Sequence, residues 1–318
     1  MTRTMTRLTT ALASKLATTT AASLALAASV ALASPAPTAA APQAGAGRAT
    51  LGGVDYGYEV RGKGEPLLLL HGGLMSWDMF GPVLPLLGKG RQLILVDLQG
   101  HGRTTLGARP IRCEAIADDI DALLQKLGTA QVDVLGYSFG GCVALRLSIQ
   151  HPDRVRRLVL VSTPYANDGW YAEMVAQQRQ VGAAMAPMMA QTPMYKAYQA
   201  VAPKVDDFPR LLDAMGDFMR QKYDWSGEVA KLKMPVMLMY GDADMVRPEH
   251  EVKFYQLLGG GLKDAGWNRE NLPTNRLAIV PDVTHYESGA SPRVAETILP
   301  FLNGQTGAKG SPATARKK

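Results

Sequence analysis

Three apolar segments that each run directly into a glycine-rich loop constrain the fold of this 318-residue chain more than any other feature. They are PLLLLHGG (66–73), QLILVDLQGHG (92–102) and QVDVLGYSFGG (131–141). Continuous apolar runs of this length are typical of parallel strands buried on both faces. Such strands need helices to cover them, and CEAIADDIDALLQKLG (113–128) has the apolar spacing of an amphipathic helix ending at a glycine.

The remaining segments continue this alternation of strands and helices. Four more strands and a closing helix are predicted, in VDYGYEV (54–60), RRLVLVSTP (156–164), MPVMLMYGDAD (234–244), NRLAIVPDVTH (275–285) and SPRVAETILPFLNG (291–304). Alternation of this kind builds a mostly parallel, doubly wound sheet with helices on both faces. We therefore predict an α/β fold.

One long interruption breaks the pattern between the strand that ends near residue 164 and the strand that begins near residue 234. About 70 residues is much longer than an ordinary connection. We interpret residues 165–232 as an inserted group of helices, including helical sequence in 171–191 and 208–223. This insertion carries seven of the fifteen methionines.

The two ends of the chain differ in composition from the middle. Residues 1–33 combine three basic residues, a weakly apolar Ala/Leu/Thr run and a small-residue cleavage site after Ala33, which is the order of a secretory signal peptide. The run suits a lasting membrane span poorly, so we expect an exported protein, periplasmic or secreted, without a stable membrane anchor. Residues 34–47 and 305–318 are expected to be a disordered linker and a disordered basic tail.

The charge balance does not indicate a nucleic-acid partner. The chain has 34 basic and 28 acidic residues, but segments 1–33 and 305–318 hold seven of the basic residues and none of the acidic ones. The core is therefore nearly neutral, and the basic balance comes from the two ends.

Ser138 is the candidate nucleophile. It lies at a predicted strand-to-helix corner in GYSFG, where a side chain two residues before or after it would collide with its neighbours. Gly136 and Gly140 occupy those two positions. The helix that follows also directs its free N–H groups toward developing negative charge.

A serine hydroxyl needs a base, and His285 is the candidate among five histidines. It follows the last predicted strand, at the sheet edge where ligands of such folds bind. His71 and His101 lie in glycine-rich loops and are expected to hold them. Asp244 is the expected partner of the imidazole, whereas Asp242 is expected to cap the turn.

An oxyanion requires two N–H groups that converge on one point. Phe139, the residue after the candidate nucleophile, supplies one from the helix start. Gly73, just after the first buried strand, is expected to supply the other.

These motifs together resemble the α/β-hydrolase superfamily from about residue 48 to residue 304. The matching segments are LLLLHGG, DLQGHGR, GYSFGG, YGDADMVRP and THY, in the family's order of Ser, Asp and His. The resemblance implies a core of residues 48–164 and 233–304, with 165–232 as a helical cap. It also implies that Ser138, Asp244 and His285 form a catalytic triad, that Gly73 and Phe139 are the oxyanion donors, and that no cofactor or metal is required.

The expected activity is cleavage of small-molecule carboxylic esters through an acyl-enzyme. A lactonase related to enol-lactonases is the nearest alternative, followed by a perhydrolase or a C–C hydrolase. Because fold does not fix function, a non-catalytic binding module is the alternative from another class.

Two further features are left open by the sequence. Cys113 and Cys142 are the two cysteines of the chain; a buried free thiol suits Cys142, and a disulfide between the two is the alternative. The glycine-rich segment 254–276 is expected to lie remote from Ser138 as a structural or interaction loop, and self-association through it is one interpretation. The oligomeric state itself is not predicted.

Overall fold

A computed structural model of the chain describes residues 44–305, which build one eight-stranded sheet covered by helices. The predicted signal peptide, most of the predicted linker and nearly all of the basic tail lie outside the described residues. Between residues 44 and 305, no helix has the length and apolar character required to cross a membrane.

The sheet has the order β1-β2-β4-β3-β5-β6-β7-β8. Strand β2 pairs antiparallel with both of its neighbours, and β3 to β8 run parallel to one another, so the sheet is mostly parallel as predicted. The strands are β1 (Gly45–Leu51), β2 (Val54–Gly62), β3 (Glu65–Leu70), β4 (Arg91–Val96), β5 (Val132–Tyr137), β6 (Val155–Val161), β7 (Val236–Ala243) and β8 (Arg276–Thr284).

Helices connect the strands and also form the cap, which lies between β6 and β7 and contains α4 to α8. The helices are α1 (Leu84–Leu87), α2 (Cys113–Lys126), α3 (Phe139–Gln150), α4 (Ala172–Gln178), α5 (Ala186–Met189), α6 (Pro193–Val201), α7 (Phe208–Met219), α8 (Ser226–Val229), α9 (Pro248–Leu257), α10 (His285–Ser288) and α11 (Pro292–Leu302).

Strand β3 shows why the predicted strands are continuously apolar. Leu67 and Leu69 belong to the core layer that includes α1 and α11, whereas Leu68 and Leu70 belong to the layer that includes α2 and α3. All four side chains are fully buried. Successive side chains of a strand point to opposite faces, so a strand covered on both sides has no polar positions.

The first strand corrects the predicted linker 34–47. Strand β1 begins at Gly45, and its residues up to Gly47 pair with Tyr58 to Val60 of β2. The glycine and alanine content of this stretch resembles a linker. Its backbone nevertheless makes ladder hydrogen bonds, which a composition argument does not detect.

The cap also differs in detail from the predicted helices. Helical sequence in 171–191 is divided into α4 and α5, because the chain becomes extended at Gly182, where φ is 178°. Helix α6, which the sequence analysis did not identify, follows. Helix α7 lies within the predicted segment 208–223 and buries Leu211, Leu212 and Met215 against the core.

The corner between β5 and α3 has no room for additional atoms. A Cβ on Gly140 would lie 2.2 Å from the Leu70 carbonyl oxygen, and one on Gly136 would lie 2.5 Å from the Gly140 carbonyl oxygen. Ser138 between them has φ 53° and ψ −114°, a conformation that L-residues rarely adopt. Close packing of backbone against backbone therefore holds the serine in a strained conformation.

We predict that Gly140→Ala lowers the free energy of unfolding by about 2 kcal/mol or more, because a methyl group there must displace backbone. Gly227→Ala is the matched control, since a Cβ on Gly227 in α8 would meet nothing within 4 Å. Urea denaturation followed by circular dichroism compares the two variants. Equal stability of both would contradict the close packing described for the corner.

Candidate active site

Ser138 stands at the start of α3 with its hydroxyl directed at the last loop of the sheet. Its Oγ lies 3.1 Å from His285 Nε2. Its own N–H donates to the Val161 carbonyl oxygen at 3.0 Å, which ties the corner to the neighbouring strand β6. The predicted nucleophile and the predicted base are therefore within hydrogen-bond reach.

His285 is the first residue of α10, immediately after β8. The Tyr137 hydroxyl donates to its carbonyl oxygen at 2.6 Å, and the Trp170 ring contacts the imidazole edge-on at a centroid distance of 5.7 Å. The imidazole Nδ1 lies 2.9 Å from Asp244 Oδ1. Contacts from a core strand and from the cap region thus fix the orientation of the ring.

The Asp244 carboxylate is buried and fully engaged. Oδ1 also accepts from the Val246 N–H at 3.2 Å, and Oδ2 accepts from the Ser162 hydroxyl at 2.5 Å. Burial acts to raise the pKa of Asp244, but the hydrogen bond and charge of His285, the Ser162 hydroxyl and the Val246 N–H outweigh it and hold that pKa below its ordinary value. The group is therefore ionised and able to hold Nδ1–H.

Asp242, the alternative partner, serves the turn instead. Its Oδ1 accepts from the N–H of Asp282 at 2.7 Å and from the N–H of Val283 at 3.4 Å. The structure brings Asp244, and not Asp242, to His285. The two aspartates differ in position because Asp242 lies within β7, where the pairing with β8 shifts register between Gly241 and Ala243, whereas Asp244 is the first residue after the strand.

Ser162 is a site residue that the sequence analysis missed. It adopts φ 52° directly after β6, and its Oγ lies 2.7 Å from Ser288 Oγ as well as donating to Asp244. Ser288 in turn donates to the His285 carbonyl oxygen at 3.1 Å. Its position in the sequence could have indicated this role, since Ser162 follows a buried parallel strand at the same sheet edge as Ser138.

The two predicted oxyanion donors lie next to each other at the cavity wall. A Cβ on Gly73 would lie 3.8 Å from Phe139 Cβ. Within residues 44–305, neither the Gly73 N–H nor the Phe139 N–H donates a hydrogen bond to another residue. Both N–H groups are therefore unpaired among the described residues, and both residues line the same cavity as Ser138.

His71 and His101, the two histidines in the glycine-rich loops, are buried and form no hydrogen bond with Ser138, His285 or Asp244. His71 connects one loop to the next. His71 Nδ1 donates to the Gly72 carbonyl oxygen at 2.7 Å, and Nε2 accepts from the Leu98 N–H at 3.0 Å. Burial lowers the pKa of His71 to about 4 and that of His101 to about 3, so both rings are neutral. Both histidines remain in the loops, as expected from the sequence.

A cavity of about 230 Å³ opens beside Ser138, between the sheet edge and the cap. Cys142 lines it, and both Cys113 and Cys142 are buried free thiols. Within the described part of the chain, no residue of segment 254–276 lines the cavity. That segment lies apart from Ser138, as expected.

Glu251 on α9 is a second buried carboxyl group near the site, with 1% of its surface exposed. Burial, followed by the nearby charges of Asp244 and Glu249, raises the pKa of Glu251 to about 8. The group is therefore protonated at neutral pH, and the folded protein holds a proton that the unfolded chain, with an ordinary glutamate, releases.

The raised pKa of Glu251 determines how the free energy of unfolding changes with pH. As pH rises from about 4.5 to 8, Glu251 increasingly destabilises the folded state, because unfolding releases its proton. We predict that Glu251→Gln raises the free energy of unfolding by more than about 1 kcal/mol at pH 8.5, with a much smaller gain at pH 4.5. Thermal melts of both proteins at the two pH values test this, and a gain independent of pH would contradict it.

Comparison with known proteins identifies the family. A sequence model described as the alpha/beta hydrolase fold matches residues 65–265. A 2-hydroxymuconate semialdehyde hydrolase of Pseudomonas sp. (strain CF600) is 39% identical over 106 residues, 32% of this chain, and the match spans only 38% of that enzyme. A pimeloyl-[acyl-carrier protein] methyl ester esterase of Nitrosomonas europaea is 28% identical over 251 residues, 71% of this chain and 91% of the esterase.

Among solved structures, a thermophilic esterase from Thermogutta terrifontis superposes with a TM-score of 0.62 at 21% identity, covering 83% of this chain and all of that one. This likeness supports the fold. The chain belongs to the α/β-hydrolase fold family, and the relatives named above are hydrolases.

Proposed function

We propose that this protein hydrolyses carboxylic esters of small molecules, with Ser138 as the nucleophile. One observation carries the proposal: an unbroken hydrogen-bonded line from Asp244 Oδ1 to His285 Nδ1 at 2.9 Å and from His285 Nε2 to Ser138 Oγ at 3.1 Å, ending at a cavity wall. A nucleophile, a base and an orienting carboxylate in this order are the parts that acyl transfer requires.

The first half of the reaction forms an acyl-enzyme. Asp244 fixes the tautomer with the proton on Nδ1, so Nε2 of His285 accepts the Ser138 proton as Oγ attacks the ester carbonyl. The carbonyl oxygen becomes an anion beside the N–H groups of Gly73 and Phe139, which stabilise it. His285 then gives its proton to the leaving alcohol, and the C–O bond to that alcohol breaks.

The second half releases the acid. A water molecule gives a proton to His285 Nε2 and attacks the acyl carbon through the same oxyanion. Collapse of this intermediate breaks the bond to Oγ and returns the proton to Ser138, so the enzyme is regenerated. Ionised Asp244 stabilises the imidazolium in both halves of the reaction. This role requires the pKa of Asp244 to lie below its ordinary value, as it does.

The methyl ester esterase relative supports an ester substrate, because its similarity extends over most of both chains. A lactone presents the same acyl carbon and uses the same groups, so it is the nearest alternative substrate. A binding module without catalysis would not need an imidazole 3.1 Å from a serine hydroxyl and held on its other side by a carboxylate.

We predict that the purified protein hydrolyses 4-nitrophenyl butyrate and that Ser138→Ala lowers kcat by about 10⁴-fold or more. Release of 4-nitrophenol measures both rates, and a parallel assay with γ-butyrolactone separates ester from lactone hydrolysis. Equal turnover by Ser138→Ala would exclude Ser138 as the nucleophile.

Ser162→Ala removes the hydroxyl that donates to Asp244 Oδ2. We predict that it lowers kcat by about 10-fold to 100-fold with little change in KM, because hydrogen bonds to charged groups contribute about 1.5–3 kcal/mol. Ser148→Ala is the control, since Ser148 is also buried but donates to the Ala144 carbonyl oxygen within α3. The same kcat in Ser162→Ala and wild type would show that Asp244 is held without this serine.

A further inference from the structure

The wall of the cavity beside Ser138 is rich in methionine. Six of the lining side chains are thioethers, contributed by both the core and the cap: Met75, Met174, Met194, Met215, Met219 and Met245. Methionine is apolar and flexible, so it adapts to the shape of an apolar ligand. No Lys, Arg, Asp or Glu is among the described residues that line the cavity.

The polar side chains of the wall are mostly committed to the protein. Asn167 donates to the Gln221 carbonyl oxygen at 2.7 Å and accepts from the Tyr223 N–H. The Tyr137 hydroxyl donates to the His285 carbonyl oxygen. Gln178 of α4 and Tyr286 are the exceptions, because neither the Gln178 carboxamide nor the Tyr286 hydroxyl forms a hydrogen bond to another residue that the structure describes.

The electrostatic environment of the cavity is therefore neutral to negative. One hydrogen-bonded residue, His285, separates the reacting serine from the ionised Asp244 carboxylate. A carboxylate on the substrate would lose its hydration in the methionine-lined cavity without gaining a cation. An unpaired charge in such surroundings costs several kcal/mol.

The size of the cavity limits the acyl group of the substrate as well. A cavity of about 150 Å³ takes up benzene. The cavity beside Ser138, at about 230 Å³, is about half as large again, which corresponds to about nine non-hydrogen atoms. The cavity therefore fits a short or medium acyl chain or a small ring.

We propose that the site selects small uncharged esters with apolar acyl groups and rejects esters whose acyl group ends in a carboxylate. Gln178 supplies the one uncommitted amide in the wall for a neutral polar atom of the substrate. This inference rests on the proposed function, since it concerns the acyl group that Ser138 receives.

The test compares 4-nitrophenyl hexanoate with mono-4-nitrophenyl glutarate, whose acyl groups are similar in length and differ in the terminal charge. Each rate is first corrected for the enzyme-free rate at the same pH, because the free carboxylate of the glutarate attacks its own ester. Each kcat/KM is then divided by the second-order rate constant for hydroxide hydrolysis of the same ester. We expect the glutarate value to be at least about 100-fold lower, which is the size of effect that an unpaired buried charge produces.

Two variants test whether the missing cation in the cavity wall causes the discrimination between the two esters. Gln178→Arg places a cation in the wall and should raise kcat/KM for the glutarate relative to the hexanoate at least tenfold. Gln177→Arg is the matched control, because Gln177 is exposed, does not line the cavity and changes the net charge equally. The control should leave the ratio of the two esters unchanged.

The outcomes separate this inference from the proposed function. If wild-type protein cleaves both esters with similar normalised kcat/KM, the charge selection is wrong and ester hydrolysis stands. If it cleaves neither ester, the proposed function fails and the inference fails with it. Equal effects of Gln178→Arg and Gln177→Arg would overturn the assignment of selectivity to the cavity wall.

Discussion

The close packing of backbone around Ser138 is the constraint on which the rest of the site depends. Glycine at residues 136 and 140 allows β5, α3 and the end of β3 to approach each other more closely than a Cβ would permit. The cost is a serine at φ 53°, and the consequence is a hydroxyl that projects from the sheet edge. Every other functional group is placed relative to that hydroxyl.

Parallel strands explain why the partners of Ser138 come from distant parts of the chain. The carboxyl ends of β5, β6, β7 and β8 lie side by side, so Ser138, Ser162, Asp244 and His285 meet although up to 147 residues separate them. Ser162 holds Asp244, Asp244 holds His285, and His285 reaches Ser138. Ser162, Asp244 and His285 follow the adjacent strands β6, β7 and β8 in that order, and the hydrogen bond from His285 then returns to Ser138 after β5.

Much of this arrangement could be predicted from the sequence. The buried strands can be recognised because a strand covered on both faces is continuously apolar. The glycines around Ser138 can be recognised because larger side chains would collide there. Ser162 was missed because a serine after a strand has no distinguishing local pattern, and only the contact with Asp244 gives it a role. Strand β1 was missed because its glycines and alanine look like a linker until they pair with β2.

The sequence predicts the cap as an insertion, but it does not predict the path of the chain through the cap. Its helices are short, and their directions depend on contacts with the core, such as those of Leu211 and Met215, rather than on local propensity. The methionine-rich composition of the cap indicates either an adaptable apolar pocket or the packing of the cap helices. The position and shape of the cavity could not be predicted from the sequence. Its neutral, methionine-lined wall depends on side chains from both parts and on how they meet.

The nucleophilic role of Ser138 is tested most directly by covalent labelling. A fluorophosphonate probe reacts with an activated serine, and digestion followed by mass spectrometry locates the modified residue. We predict one labelled site, Ser138, with labelling abolished in His285→Ala although Ser138 is still present. Absence of labelling in the folded wild-type protein, or a label on another serine, would contradict the central claim.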